Sequence, residues 1–576
     1  MVSHGTNTYS GPTTINQGTL RAYSSEALGD GSATNTLIFN GGTLQAGQSF
    51  SSPATRGVTL QAGGGTVNTN VAAVTIAGVI TGAGGLTKTS SGTLTLTGTN
   101  DYTGVTTISG GVLSVATIGN GGVAGHLGKA SNAAANLVLG TATLRYTGAT
   151  ASTNRNFTLS AATTGTIEVT DSAANLTFTG GSAATTGTFA KTGAGTLTFA
   201  GSNGHTGATT VNAGTLVLDF TATNTSKLSD NNALTLRGAT LQLDRATGAS
   251  GSHTEIVALT TLLGGGASIT RGAGSTAVLR MNGISRFAGS TVNFGAAGIA
   301  DTDTTNINGL LGTGTGWATI GGTDFARNST NGADGPVTAY SSYTDVTRQS
   351  SGTKAIANGS TANVRIVEGT GGAPASLTLG AATTTINTLN QSSSGGTSAA
   401  TIDTAGGILA VNAILAGSGA GALTIGTADA NRGTLQTATA GGELILQNFS
   451  ANGLTINASI ADVTASALTH AGTGTTVLAG PSNAYTGGTT IVGGTLQVSG
   501  GGKITATNAV TLDGGTLTVD GTTASSVTST GQTTVGSVST GTLNIQSGGA
   551  VSNTTGAVGN SSGATGTATV AGAGSA

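Results

Sequence analysis

The stretch GTLTLTGTNDYTGVTTISGGVL, residues 92–113, consists of two segments in which apolar and polar residues alternate. A turn with a glycine at each end joins them. In the first segment, TLTL at residues 93–96, the leucines are two residues apart. On an extended backbone they therefore point to one face and the threonines to the other. The Thr-Thr-Ile segment after the turn is β-branched and resumes the alternation. This pattern predicts two short β-strands, each with one buried and one exposed face.

The same unit recurs along the chain. GTLTFAGSNGHTGATTVNAGTL at 195–216 aligns with it without a gap, and GTTVLAGPSNAYTGGTTIVGGTL at 474–496 has one inserted residue, Pro481. NTYSGPTTINQGTL at 7–20 is its second half. A unit of roughly 22 residues is too short for a propeller blade of about 40 residues or a sandwich domain of about 100. The repeat therefore predicts an all-β protein, a β-solenoid.

Composition agrees with stacked coils. The 576 residues include 100 glycines, only 7% charged residues and no cysteine, and the net charge is −2. Stacked threonine and asparagine gain hydrogen bonds from coil to coil, whereas stacked like charges repel. The weak charge argues against nucleic acid and an anionic membrane surface as partners. The absence of cysteine excludes disulfides and thiolate metal sites.

The unit at 92–113 resembles the passenger-associated transport repeat of the autotransporter-associated β-strand family, whose pattern is G-T-L-T-L-x-G-x-N-x-Y-T-G-x-T-T-I-x-x-G-x-L. His205 departs from its tyrosine position, and Thr476 and Val477 shift its leucine pattern. GWATIGGTDFA at 316–326, AYSSY at 339–343 and the tail at 541–575 are similar to other segments of autotransporter passengers.

The resemblance implies a single-stranded right-handed parallel β-helix. It also implies export through the outer membrane of a Gram-negative bacterium, by way of a C-terminal barrel outside this chain, and a final location at the cell surface or in the medium. No membrane span is predicted in the chain, since no apolar run approaches the roughly 18 residues that a span requires. We expect the sequence to be a piece of a longer passenger.

Four regions are predicted. A β-helix with passenger-type repeats covers 1–249, with a partial repeat at 5–20 and full repeats at 92–113 and 195–216. A less regular segment containing aromatic residues, an excursion from the helix, covers 250–347. A β-helix with the repeat at 474–496 covers 348–500, and 501–576 continues the helix into strand-loop-strand repeats that stop part-way.

The repeated turn is predicted to be structural, because a catalytic site is rarely copied at distant points along a chain. Its asparagines can tolerate positive φ or form a ladder between coils, and its tyrosines can pack over the turn. The alternative is a polar binding row with sugar-stacking tyrosines. The predicted turn residues are Asn7, Tyr9, Gly11, Asn100, Tyr102, Gly104, Asn203, Gly207, Asn483, Tyr485 and Gly487.

The segment 250–347 holds the single tryptophan of a chain that has few aromatic residues. Trp317, Phe325, Tyr340 and Tyr343 are the candidate ligand contacts, because aromatic faces near loops can stack on sugars. The alternative is that these side chains form a small core of their own.

No catalytic, cofactor or metal site is predicted. GNSSG at 559–563 satisfies a hydrolase pattern but has no acid or histidine after it. DTDTTN, with Asp301, Asp303 and Asn306, lacks the glycine turn and bidentate glutamate of a calcium loop. The histidines at 4, 126, 205, 253 and 470 form no close pair.

These observations predict a non-catalytic, surface-exposed or secreted passenger, a stalk or adhesin-like structural protein. Its partners would be glycans or proteins of a host or neighbouring cell. Two alternatives remain. One is a β-helical enzyme or binding protein for polysaccharides; a degrading enzyme would require carboxylates or a Lys or Arg base gathered in one groove. The other is a self-assembling structural protein of the cell surface, which would grow through exposed coil edges.

Overall fold

The computed structural model of the protein describes residues 2–3, 5–245, 253–348, 354–369, 376–393, 396–561 and 564–576. The chain divides into two compact units. Unit 1 comprises Met1–Thr235, Gln242–Ala258 and Gly272–Ala277, and unit 2 comprises Leu236–Leu241, Leu259–Arg271 and Val278–Ala576. Within the described ranges we found no helix with the length and apolar character that a membrane crossing requires.

The regular secondary structure of the described residues consists of short strands joined by turns and loops, with few exceptions. The exceptions are 3-10 turns at Glu26–Leu28, Ala134–Asn136 and Gly521–Thr523. Strands β1 to β22 are, in order, Val2–Ser3, Thr13–Ile15, Thr19–Ala22, Leu37–Phe39, Thr43–Ala46, Phe50–Ser52, Val58–Leu60, Gly65–Asn68, Ala73–Ile76, Ile80–Thr81, Leu86–Thr89, Thr93–Leu96, Thr106–Val115, Leu137–Tyr146, Ala151–Thr153, Thr158–Leu159, Thr164–Val169, Asn175–Phe178, Thr188–Thr192, Thr196–Phe199, Thr209–Val211 and Thr215–Asp219.

The later strands are equally short. Strands β23 to β41 are Ala233–Leu236, Thr240–Asp244, Thr254–Ile256, Leu259–Leu262, Gly266–Arg271, Val278–Arg280, Gly283–Arg286, Thr291–Phe294, Ala300–Thr302, Asn306–Ile307, Leu310–Leu311, Ala318–Ile320, Asp324–Asn328, Gly335–Ala339, Thr344–Arg348, Lys354–Ile356, Gly359–Glu368, Ser376–Leu379 and Thr383–Gln391. Strands β42 to β62 are Ala400–Asp403, Ile408–Ala410, Ala413–Ala416, Leu423–Ile425, Thr434–Gln436, Glu443–Asn448, Leu454–Ile456, Ser459–Ile460, Ala467–Gly472, Thr475–Leu478, Thr489–Ile491, Thr495–Val498, Lys503–Thr507, Val510–Leu512, Thr516–Asp520, Ser526–Ser529, Gln532–Val535, Thr540–Gln546, Ala550–Ser552, Thr555–Val558 and Thr565–Ala571.

Strands pair in parallel with the equivalent strands of neighbouring coils. In unit 1, β12 lies between β9 and β13, so that Leu94 is opposite Val74 on one side and Leu113 on the other. All three side chains are buried. The outward Thr95 is opposite Thr75 in the same register. The period of two seen in the sequence thus places apolar side chains above apolar ones and hydroxyls above hydroxyls.

Unit 1 also contains a cluster of phenylalanines in its core. Phe178 and Phe199 are register partners on β18 and β20. The ring of Phe157 packs edge-on against Phe178, with centroids 5.6 Å apart, and Phe189 lies 5.2 Å from Phe199. These rings fill the interior where three consecutive coils stack, and each such burial is worth roughly 1.5–3 kcal/mol.

In unit 2, parallel coils continue through β27, β30 and β34, where Val292 is opposite Ala267 and Ala318. The chain then reverses direction. β35 pairs antiparallel with β34 and β36, and β36 pairs antiparallel with β31. This antiparallel ribbon lies within the predicted excursion at 250–347, of which residues 250–252 lie outside the described residues. We call the parallel coils at 259–271 and 278–320 the first stack.

A second stack of parallel coils comprises the described residues between Thr344 and Ala571. Its core contains a column of aliphatic side chains from seven consecutive coils, each opposite the next in register and each buried. The column is Ile402, Ile425, Ile456, Leu478, Val498, Val519 and Ile545. The predicted all-β solenoid of parallel coils is therefore confirmed.

The two stacks of unit 2 contact each other along a line that we call the seam. Carboxamides of the second stack donate to backbone carbonyls at the end of the first stack. Gln447 donates to the carbonyl of Gly316 over 2.6 Å, and Asn387 donates to that of Gly314 over 2.8 Å. Because these contacts join residues far apart in the chain, the repeat pattern contains no sign of them.

One ion pair anchors the middle of the seam. Arg286 of the first stack donates to Glu443 of the second over 2.6 Å, and each side chain is about 10% exposed. The Gly289 N–H and the Thr469 hydroxyl also donate to this carboxylate. Charge removed from water costs free energy unless it is paired and hydrogen-bonded, and Glu443 has both kinds of partner.

The close approach of coils predicts a position-specific effect of Gly→Ala. A side chain at Gly104 would collide with the backbone of Gly84 in the preceding coil, whereas one at Gly11 meets no atom within 4 Å. We expect Gly104→Ala to reduce the free energy of unfolding by about 1–3 kcal/mol through overpacking. Gly11→Ala, the matched control, should change it by less than about 0.5 kcal/mol. Denaturant unfolding followed by circular dichroism measures both, and equal effects would contradict the steric explanation.

Candidate functional site

The repeated asparagine lies inside the solenoid and joins three coils. Asn100 is fully buried; its Oδ1 accepts the N–H of Ile80 over 2.8 Å, and its Nδ2 donates to the carbonyl of His126 over 2.9 Å. Ile80 belongs to the coil before and His126 to the segment after. One carboxamide therefore satisfies a backbone donor and a backbone acceptor that the strand ladders leave over.

Two other copies repeat this pair of bonds, and the first copy makes the donor half of it. Asn203 bonds the Ser182 N–H and the Lys227 carbonyl, Asn483 bonds the Ile460 N–H and the Lys503 carbonyl, and Asn7 donates to the Ala27 carbonyl. None of these four asparagines, all within the described ranges, has a positive φ. Their place in the repeat is thus explained by backbone hydrogen bonding, and the ladder runs through backbone groups instead of from one asparagine to the next.

The aromatic position of the repeat bonds a threonine four residues later. Tyr102 and Thr106 lie 2.6 Å apart, oxygen to oxygen, and Tyr485 and Thr489 lie 2.8 Å apart. Burial raises the pKa of Tyr102 to about 12, although the bond to Thr106 opposes the shift. In the first copy the same bond joins Tyr9 to Thr13, but Tyr9 is 42% exposed.

His205 replaces this tyrosine and keeps the bond. Its Nε2 lies 3.0 Å from the Thr209 hydroxyl, and its Nδ1 lies 2.9 Å from the Ser182 hydroxyl. The ring is fully buried, and burial lowers the pKa of His205 to about 4. The imidazole is therefore neutral at physiological pH and serves as a hydrogen-bonded spacer.

The glycine of the turn is required by the approach of the preceding coil. A side chain at Gly207 would meet the backbone of Gly187, and one at Gly487 would meet that of Ser466. Together with the asparagine and the aromatic residue, it makes a compact corner. In the three copies at 100–104, 203–207 and 483–487 the polar side chains bond the protein's own groups, which suits a joint between coils better than a binding row.

The sequence analysis did not identify a buried basic residue that lies four positions before the Gly-Thr pair that opens each full repeat. Lys88 is fully buried, and its Nζ donates to the carbonyls of Thr89, Ser90 and Gly110 at 2.7–2.9 Å. Lys191 does the same with Thr192, Gly193 and Ala213. The signal was present, because Lys88, Lys191 and His470 occupy the same offset from Gly92, Gly195 and Gly474.

Burial alters the protonation of these groups. It lowers the pKa of Lys88 to about 8 and that of Lys191 to about 7, where the nearby Glu168 partly opposes the shift. Burial also lowers the pKa of His470 to about 4. Neutral His470 donates from Nδ1 to the Gly493 carbonyl over 2.9 Å and accepts from the Thr476 hydroxyl. These three buried side chains bridge a corner to the next coil, and none of them lines a described cleft.

The candidate ligand contacts divide into two pairs. Trp317 is 2% exposed and Phe325 is fully buried, so their rings are closed to a ligand in this conformation. Tyr340 and Tyr343 are half-buried and pack edge to face with centroids 4.8 Å apart. Arg365 covers the Tyr343 ring at 5.1 Å. A ligand role for the two tyrosines stays a prediction.

The other motifs have local partners. Asn306 exchanges hydrogen bonds with the backbone of Asn328, Asp301 lies in β31, and Asp303 is exposed. Burial, together with Asp334, raises the pKa of Asp301. Among the described residues no three His, Asp or Glu side chains come together as metal ligands would. His4, and Ser562 and Gly563 of the GNSSG motif, lie outside the described residues.

A buried His–Glu pair in unit 1 also escaped the sequence analysis. Glu255 is fully buried and accepts the N–H groups of Lys227 and Leu228, while His253 Nε2 lies 3.2 Å from its Oε2. The His253 ring stacks on Phe220 with centroids 4.1 Å apart. Backbone N–H groups donate to both carboxylate oxygens of Glu255, so this carboxylate links two neighbouring coils.

Four clefts are described in the structure, with volumes of about 180, 190, 330 and 550 Å³, and all four are uncharged. One of about 180 Å³ follows the outward column Thr66, Thr87 and Thr107 and is otherwise lined by Gly, Ala and Val. Two others lie at Thr13–Leu20 and between Thr378 and Gly407, and one of about 190 Å³ lies at the seam. No Asp, Glu, Lys or Arg lines these four clefts.

Comparison with known proteins identifies the repeat. A family described as the passenger-associated-transport-repeat matches residues 4–22, 86–115, 189–218 and 468–498. Over 72 residues the chain is 51% identical to a protein named adhesin BmaC autotransporter from Brucella suis biovar 1 (strain 1330). The match covers 12% of this chain and 2% of that protein's length. The resemblance predicted from the sequence is confirmed.

The buried asparagine can be tested at the last repeat. Asn483→Ala would leave the Ile460 N–H without an acceptor, while the Lys503 carbonyl would keep the backbone N–H of residue 483 as a donor, and we expect a loss of about 1–3 kcal/mol in unfolding free energy. Amide exchange in peptides covering 454–507 should accelerate because the coils on both sides loosen. Asn132→Ala, at an exposed asparagine of unit 1, is the control. Unchanged exchange in 454–507 would refute the bracing role.

The histidine of the second full repeat predicts acid sensitivity. Its pKa of about 4 in the folded chain lies below the ordinary value of 6.5, so the unfolded chain binds the proton first between these pH values. Stability therefore falls as pH drops through this window, by about 2 kcal/mol between pH 7 and pH 5 for one such group. His205→Tyr restores the repeat pattern and should remove this loss. Denaturant unfolding of both proteins at pH 7 and pH 5 measures it, and equal losses would show that His205 does not titrate as expected.

Proposed function

This chain carries the repeats and the coil architecture of an autotransporter passenger, and we propose that it acts as a non-catalytic adhesive stalk. It would lie at the cell surface, or be released into the medium, after export across the outer membrane of a Gram-negative bacterium. The observation that carries the proposal is the repeated corner. Its asparagine, its tyrosine or histidine, and the buried lysine before it all use their polar atoms in hydrogen bonds within the protein. Such brackets stiffen a structure and leave those groups unavailable for chemistry.

The similarity to an adhesin favours an adhesive role over a purely structural one. We propose glycans or proteins on a host or neighbouring cell as the partners. The outward threonine columns and the weak net charge suit contact with uncharged polar surfaces, because no strong electrostatic field selects an oppositely charged partner. Self-assembly remains an alternative with a separate test, since light scattering at rising protein concentration reports growth directly.

A polysaccharide-degrading enzyme is the second alternative, and it requires acids or bases gathered in a groove. The clefts that are described are lined by Gly, Ala, Thr, Ser, Asn, Gln and a few apolar residues. This lining favours the adhesive proposal. Release of reducing ends from polysaccharides would support the enzyme instead.

Attachment of coated beads tests the adhesive function. Beads carrying the native chain should attach to cultured epithelial cells or to bacterial cells several-fold more than beads carrying the heat-denatured chain or albumin. Treating the target cells with glycosidases or with protease separates glycan from protein partners. Equal attachment of native and denatured chains to every target would overturn the proposal.

A further inference from the structure

The cleft at the seam differs from the other described clefts in having walls from two separate stacks. The first stack contributes Gly266, Ala267, Ser268, Thr291 and Asn293, and the second contributes Gln447, Phe449, Gly472, Thr473 and Val492. All of these residues belong to unit 2. Its volume of about 190 Å³ would hold roughly six waters at about 30 Å³ each, which is the size of a single sugar ring.

The polar groups of the cleft suit hydroxyl groups. Half-buried Asn293 and Ser268 line one wall and exposed Thr473 lines the other, whereas Gln447, also of the second wall, is 1% exposed. Carboxamides and hydroxyls both donate and accept, as sugar hydroxyls do. The carboxamides are also held in place, because Asn293 Oδ1 accepts from the Thr319 hydroxyl and the Gly322 N–H while Gln447 Nε2 is bonded to Gly316.

An aromatic ring supplies the apolar wall. Phe449 packs on Gly322 of the opposite segment, where a side chain would collide with its ring, and the residue is half-buried. The linings of the other three described clefts contain no aromatic residue. Aromatic faces stack on the apolar C–H faces of sugars, so the seam cleft combines both kinds of contact that a saccharide needs.

Charge decides the class of sugar. The lining contains no acidic or basic side chain, and the nearby Arg286 and Glu443 neutralise each other in their own ion pair. An anionic sugar would lose its hydration in the cleft without gaining a cation. A neutral sugar meets no such cost.

We propose that the seam cleft binds one neutral saccharide residue between the two stacks of unit 2. This inference deepens the adhesive function proposed above and rests on it for its biological role, because the residue would belong to a glycan of the contacted cell. The two-walled geometry also makes the site depend on the reversal of the chain at β34–β36, since neither stack contains both walls.

Saturation-transfer NMR on the full chain tests the site. The probes are the methyl glycosides of galactose, mannose, glucose and N-acetylglucosamine, with N-acetylneuraminic acid and methyl glucuronide as anionic probes. At least one neutral probe should bind saturably with a Kd of about 1 mM, as expected for a ligand of this size, and the anionic probes should not. Absence of saturable transfer from every neutral probe, or equal binding of the anionic ones, would overturn the proposal.

Two plugging variants locate the binding. Ser268→Leu fills the cleft from the first stack and Thr473→Leu fills it from the second, and each should weaken binding by about tenfold or more. Thr87→Leu, the matched control, places leucine at an outward threonine in the glycine-lined cleft of unit 1 and should leave binding unchanged. Circular dichroism and the denaturant midpoint verify that each variant is folded. One folded plugging variant is enough for the test. Binding that survives a folded plug would place the sugar elsewhere and refute the site.

The same variants separate this inference from the proposed function. If the sugar binds and the plugs abolish it but not bead attachment, the cleft stands and adhesion uses another surface. If native beads fail to attach, the adhesive function fails while the titrations still decide the cleft.

Discussion

Parallel pairing of each strand with its counterpart in the neighbouring coils is the constraint on which the structure depends. A parallel strand completes its backbone hydrogen bonds only through the coils before and after it, so each coil is held by its neighbours. Exact stacking also places side chains of equivalent positions next to each other, most of them similar in character. Leucine above valine gains packing, as Leu94 does on Val74, whereas charge above like charge would repel. A chain with 7% charged residues is the result.

The corners pose a different problem, because backbone groups that leave the ladder need partners inside a dry interior. Asn100 and Lys88 show the two solutions. A carboxamide both donates and accepts, so one asparagine joins the coil before to the segment after, whereas a lysine only donates and gathers three carbonyls. His470 occupies the lysine position and, as a neutral ring, donates to one carbonyl, that of Gly493. Buried polar groups thus specify where the chain turns, and the aliphatic columns supply most of the stability.

At the seam in unit 2, the outward faces of two stacks of coils form an interface with each other. Side chains such as Gln447 and Asn387 would be solvated on an isolated stack, yet here they bond carbonyls of another stack. The Arg286–Glu443 pair adds one directional contact in an otherwise uncharged region. Where the two faces do not touch they leave a small polar cleft. Such a cleft needs no departure from the repeat, only two stacks lying side by side.

The amino-acid sequence by itself determined the strands, the coil period and the positions of the glycine–asparagine–aromatic corners, because strand alternation is a local property and the corner motif recurs in each copy. The tertiary structure alone decided which coils Asn100 bonds, why Lys88 is buried, and that Trp317 and Phe325 are closed to ligands. It also decided that the chain reverses and forms the seam. Arg286 and Glu443 are 157 residues apart, and a pattern of local periods carries no information on contacts at that separation. They form only when two completed stacks present complementary faces.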